Sequence, residues 1–181
     1  MNRETLLRRR IRGLTWFVIV GLVLSGATAI PLMPEVDWLA EVTGAAHAVQ
    51  TTAGDAPAWA LWLVKVRDAL HDVDGRYPFL FYGTDWLALG HFAIAIAFIG
   101  ALRDPVRNRW LYTFGTIVCA VLVPYALVFG GVRGIPVWWR IIDCSFGVVA
   151  FVPLWLCCRW AREIEKSPAA TVPGSTPQES R

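Results

Sequence analysis

The familiar short signatures of chemistry are missing from this sequence of 181 residues. It has no Gly-rich phosphate loop, no HExxH and no GxSxG, which removes the common nucleotide-binding, zinc-hydrolase and serine-hydrolase readings. Its four cysteines, Cys119, Cys144, Cys157 and Cys158, form no CxxC pair and have no Cys/His ligand spacing, which excludes a zinc site. None of them lies in the long polar stretch Pro34 to Gly83, which argues against an extracytoplasmic disulfide framework. Buried, inert thiols are expected, with a vicinal redox pair at Cys157 and Cys158 as the alternative. No metal and no cofactor is expected. Haem would need His47 or His71 to fold inward, because His91 is the only histidine in an apolar run. Charge is scarce as well: the net value is +3, and the basic residues gather in short segments beside apolar runs, which is no footprint for nucleic acid.

What the chain has in abundance is apolar sequence. Hydrophobic residues make up 56% and the mean hydropathy is +0.48, too apolar for an ordinary soluble domain of this length. The stretch Thr84 to Arg109 sets the pattern, with an apolar-dominated run of 18 residues from Asp85 to Leu102 closed by a cluster at Arg103, Arg107 and Arg109. At about 1.5 Å per residue such a helix comes close to the roughly 30 Å hydrocarbon core of a bilayer. Similar runs cover Gly13 to Met33, Trp110 to Gly130 and Val137 to Cys158. The fold class is therefore all-α, a polytopic membrane protein with four transmembrane helices and an amphipathic extracytoplasmic helix between the first and second.

Orientation follows from Lys and Arg, which accumulate on the untranslocated side. Five basic residues precede the first span, three occupy the loop Arg103 to Arg109, and Arg159, Arg162 and Lys166 follow the fourth. Both termini are accordingly cytoplasmic. The chain divides into a basic N-terminus over 1–12, a transmembrane domain over 13–166 that includes the extracytoplasmic loop 34–83, and a disordered tail over 167–181, where Ser, Pro, Thr and Ala dominate. The basic start could also open a signal peptide, and Ser25, Gly26, Ala27 and Ala29 are small enough for cleavage. A run of this length favours a retained span.

Within the outer loop, Trp59, Trp62, Leu63, Val66, Leu70 and Val73 make one apolar stripe at helical spacing, with Pro57 near the first turn and Gly75 past the end. A thinner pattern predicts a helix over Glu35 to Val49, interrupted at Gly44. The second span carries a ridge of small residues, Gly90, Ala93, Ala97 and Gly100, suited to close helix packing. Pro124 predicts a kink or local unwinding in the third.

One polar layer stands out. His91 is six residues from Asp85, Tyr125 five from Gly130 and Asp143 six from Val137, so all three lie about 8 to 9 Å below the same face. Ser25 and Thr28 reach a comparable depth, and Arg140 can pair with Asp143 at i, i+3. Ionisable groups inside a membrane are costly and mark a functional site by default. His91, Asp143 and Tyr125 are the candidate catalytic residues, the first two as a proton-sharing pair, and Arg140 is the candidate anchor for an anionic headgroup or carboxylate. The competing reading is structural, with Arg140 snorkelling, Asp143 neutralising it and His91 bridging helices.

The runs TDWLALGHFAIAIAFIGALRDPVRN (Thr84 to Asn108) and RGIPVWWRIIDCSFG (Arg133 to Gly147) resemble a family of uncharacterised bacterial four-helix inner-membrane proteins. That resemblance covers about the second half of the chain and implies topology without an activity. The chain is also similar, more remotely, to VanZ-like membrane proteins, which place an Asp before a His at the second span and an Arg before an Asp near the fourth. Here Asp85 and His91 are spaced differently, and Pro124 and Tyr125 stand where a Glu/Gln element belongs. Three function classes follow. The first is an accessory or structural protein whose partners are the bilayer, another membrane protein or a second copy of itself. The second is a membrane-embedded site for an envelope lipid or a small anionic ligand, and the third a transporter, for which four spans leave little room.

Overall fold

The computed structural model describes residues 3–51 and 55–166, and the tail expected over 167–181 lies outside them. The described residues form seven α-helices and one short 3₁₀ turn, with no strand among them. The helices are α1 (Arg3–Thr28), α2 (Leu32–Val42), α3 (Ala45–Thr51), α4 (Ala58–Arg76), α5 (Tyr82–Arg103), α6 (Arg109–Val132) and α7 (Val137–Glu165), and the turn Pro78–Phe81 precedes α5. Helices α1, α5, α6 and α7 are long and apolar enough to cross a membrane, α5 together with the turn before it. In the most apolar stretch of α6 only 11% is buried within the chain. Leaving that much apolar surface in water forfeits about 25 cal/mol per Å², and lipid removes the penalty. The chain is an all-α, multi-pass membrane protein.

The helix ends differ from the runs read in the sequence. Helix α1 starts ten residues before Gly13, because Glu4 and Arg8 pair one turn apart at 2.9 Å and Leu7 and Ile11 are buried. It stops at Thr28 and not at Met33, since Pro31 disfavours a helical residue before it. Helix α7 likewise runs past Cys158 to Glu165, with Ala161 and Ile164 buried in its last two turns. The helix expected over Glu35 to Val49 is two helices. Gly44, at φ +66°, takes the left-handed conformation that ends α2, and its carbonyl accepts from Ala48 at 2.9 Å to start α3. Helix α6 is unbroken through Pro124, so the backbone does not unwind there, although Pro124 has no N–H to offer the carbonyl of Ala120.

Contacts divide the chain into two compact units, one of residues up to Ile19 with Ile96 onward, the other Val20–Ala95. In the second unit, α2, α3 and α4 share a small core of Val36, Ala40, Ala45, Ala60 and Leu63. His71 on α4 donates from Nε2 to Asp37 on α2 at 2.8 Å, tying the two helices together. The stripe read on α4 faces this core, with Leu63 buried and Val66 and Leu70 packed against it, but at its start Ala60 is buried and Trp59 is 41% exposed. In the same unit α1 meets α5 at Gly26, where a Cβ would sit 2.8 Å from the Phe92 ring and 3.0 Å from the Ala88 carbonyl.

In the first unit, the seam between α6 and α7 is set by close approaches. A Cβ on Gly147 would lie 3.1 Å from the Cys119 carbonyl, and one on Gly115 would lie 3.0 Å from Leu154. The packing face of α5 is Ala88, Ala95, Phe98 and Ala101, all buried. The expected ridge faces elsewhere: Gly90, Ala93 and Ala97 are exposed, and nothing lies within 4 Å of a Cβ built on Gly90.

Candidate functional site

The candidate residues differ in what holds them. His91, half-buried on α5, donates from Nδ1 to the Leu87 carbonyl one turn back at 2.8 Å. That bond leaves the Nε2 lone pair as the acceptor of the neutral ring. Thr28, read at similar depth, bonds the Ser25 carbonyl at 3.2 Å and is exposed. These groups belong to the second unit.

Tyr125, Arg140 and Asp143 belong to the first. Tyr125 is 60% exposed and its ring lies against Phe129, centroids 4.4 Å apart. Arg140 does not form the expected ion pair with Asp143. Its guanidinium reaches across to α6 and donates from Nη1 to the Leu127 carbonyl at 3.0 Å. The stem lies over the bare backbone of Gly130, where a Cβ would meet Cδ at 2.5 Å. A side chain at position 130 would close that path, so the glycine lets the arginine cross. The Nε of Arg140 is buried and unpartnered, and Asp143, half-buried, has neither a hydrogen bond nor an ion pair among the described residues. A buried arginine nitrogen without a partner and a half-buried carboxylate that bonds no protein group thus stand one turn apart on α7, which is the chemistry of a site for a polar ligand or for water.

The most buried polar contact lies elsewhere, on residues that sequence reasoning passed over. Thr15 and Tyr112 are both fully buried, and their hydroxyls are 2.8 Å apart. Thr15 also donates to the Ile11 carbonyl at 2.8 Å, so the Tyr112 hydroxyl is the donor to Thr15, with the Ala101 carbonyl at 3.3 Å as its alternative acceptor. Cys157 approaches the same Ile11 carbonyl at 3.8 Å. Helices α1, α5, α6 and α7 all contribute to this layer. A cue was present in α1: Leu7, Ile11, Thr15 and Ile19 recur every four residues, which puts Thr15 on the packed stripe. Cys119, Cys157 and Cys158 are buried and Cys144 is half-buried, and all four are free thiols.

No three His, Cys, Asp or Glu side chains converge on a metal-holding geometry among the described residues. Comparison of the chain with protein-family models, with curated proteins and with solved structures gives no match, so the geometry alone carries the functional reading.

Proposed function

We propose that this is an accessory or structural protein of a bacterial inner membrane, with both termini in the cytoplasm and α2, α3 and α4 on the outer side. Its partners in this reading are bilayer lipid and another membrane protein or a second copy of itself, and nucleic acid is not among them. One observation carries it: the deepest polar groups, Thr15 and Tyr112, are bonded to each other and, through Thr15, to the Ile11 carbonyl, and so serve packing. Where loss of the gene causes a growth defect, a strain carrying His91→Gln, Tyr125→Phe and Asp143→Asn together should grow as the wild type does. Loss of function with normal membrane levels would reject this reading.

The unpartnered Arg140 Nε and the unpaired Asp143 favour a second reading, a membrane-embedded site for an envelope lipid or a small anionic ligand. Arg140 is then the anchor, and Tyr125 and Asp143 of the same unit are the groups available for proton transfer. Under that reading Asp143→Asn alone abolishes function while insertion and abundance stay unchanged.

A further inference from the structure

We infer that the seam between α6 and α7 at its Arg-rich end seats the headgroup and one chain of an anionic phospholipid. Two adjoining clefts of about 710 and 750 Å³ flank that seam and share Thr113, Ile117 and Arg162. Each is within the size range of small-molecule sites.

The lining is graded along the helix axes. On α7 and the residue capping its end, Trp155, Arg159, Arg162 and Lys166 recur at i, i+4, i+7 and i+11, so they line one face. On α6, Arg109, Thr113 and Ile117 follow at steps of four. From Arg109 to Ile117 the rise is about 12 Å, which takes the groove from cations at the interface to apolar side chains at membrane depth. A soluble anion would fill only the first half. A lipid fills both, with its phosphate among the cations and a chain along Ile117 and Phe114.

Charge in the clefts is not self-neutralised. Of the two acids in the lining, Glu163 is paired with Arg3 at 2.6 Å and Glu165 with Arg109. That leaves Arg107, Arg159, Arg162 and Lys166 without a carboxylate partner among the described residues. Arg159 is braced over the Trp155 ring at 5.6 Å, a contact that fixes the stem and leaves the guanidinium edge open. The two threonine hydroxyls in the lining are already engaged, Thr113 by Cys158 at 3.4 Å and Thr116 by the Tyr112 carbonyl at 2.7 Å. The polar demand of the groove is therefore cationic, and a phosphate answers it.

This inference rests on the membrane reading and not on the accessory role. The full chain is reconstituted into phosphatidylcholine vesicles carrying a trace of spin-labelled phosphatidylglycerol or spin-labelled phosphatidylcholine, and the immobilised fraction of each label is measured. Carbonate extraction of the same vesicles tests insertion separately. The expected result is retention in the vesicles with phosphatidylglycerol preferred. In Arg159→Gln/Arg162→Gln the preference falls by roughly fivefold per cation removed. In the charge-matched control Arg9→Gln/Arg12→Gln it is kept. Ile117→Trp, which fills the apolar trough and changes no charge, should also release the immobilised lipid. Extraction by carbonate would overturn the membrane reading and this inference with it. Retention with no lipid preference, equal loss in the control, or an unaffected Ile117→Trp protein would overturn the inference alone.

Discussion

Tyr112 shows how a hydroxyl can sit fully buried in an apolar unit without harm. It meets Thr15 at 2.8 Å and the Ala101 carbonyl at 3.3 Å, so neither oxygen is left bare. Tyr112→Phe strands the Thr15 oxygen on a single bond to Ile11, and the expected loss is about 1 to 2 kcal/mol. Interhelical hydrogen bonds in membranes couple by only about 0.6 kcal/mol on average, because the reference state finds partners too. A cycle of Tyr112→Phe with Thr15→Val, read by reversible unfolding in mixed micelles, should therefore give a coupling of about 0.6 kcal/mol and no more than about 2. A coupling of zero would mean that the two hydroxyls do not meet. At the same scale, the outcome at Arg140 shows where sequence spacing stops being informative. Asp143 stands one turn away and offers a carboxylate, yet the guanidinium bonds the Leu127 carbonyl, 13 positions back in the chain. That partner is reachable only because Gly130 lacks a side chain, a condition that no i, i+3 rule contains.

The existence of the four spans was legible because an apolar run of about 20 residues has few alternatives in a cell. Which side of it packs was not. In lipid every face of a span is apolar, so periodicity carries no inside-outside contrast, and size alone pointed to the Gly90 ridge. The buried face of α5 is the one with Ala88, Ala95, Phe98 and Ala101. Helix α4 shows a smaller version of the same difficulty. Leu63, Val66 and Leu70 pack as the stripe predicts, but Ala60 is completely buried and adds little to an apolar pattern, so the pattern puts the large Trp59 on the packed face in its place. The small residues that matter are the ones whose missing Cβ lets a backbone in. Gly147→Leu would drive a side chain into the Cys119 carbonyl and Leu122, neither of which can yield without moving α6 from α7. It should destabilise by about 2 to 3 kcal/mol. Gly90→Leu, which meets nothing, should stay within about 0.5 kcal/mol of the wild type. Unfolding midpoints of the two variants in one detergent separate the faces, and equal effects would place α5 the other way round.

At the scale of the whole molecule, the two sides of the membrane are to be told apart by composition and by architecture together. The segments around α1's start, the α5–α6 turn and α7's end are rich in arginine, and Asp104 closes that turn by accepting from the backbone of Val106 and Arg107 at 3.1 Å each. The segment between α1 and α5 is instead a folded set of three helices with its own small core, and its carboxylates at Asp37, Asp68 and Asp72 pair locally with His71, Arg67 and Arg76. That segment holds only Lys65, Arg67 and Arg76, whereas the arginines of the α5–α6 turn lie close to two spans and resist translocation most strongly. That asymmetry supports the proposed orientation. Lys65→Cys should react in intact cells with a membrane-impermeant maleimide, and Arg107→Cys should react only after the membrane is opened. The native cysteines give a quiet background, since none is exposed. Reaction of Arg107→Cys in intact cells would invert the molecule, carry the arginine-lined clefts to the opposite leaflet, and leave the packing of the helices as described.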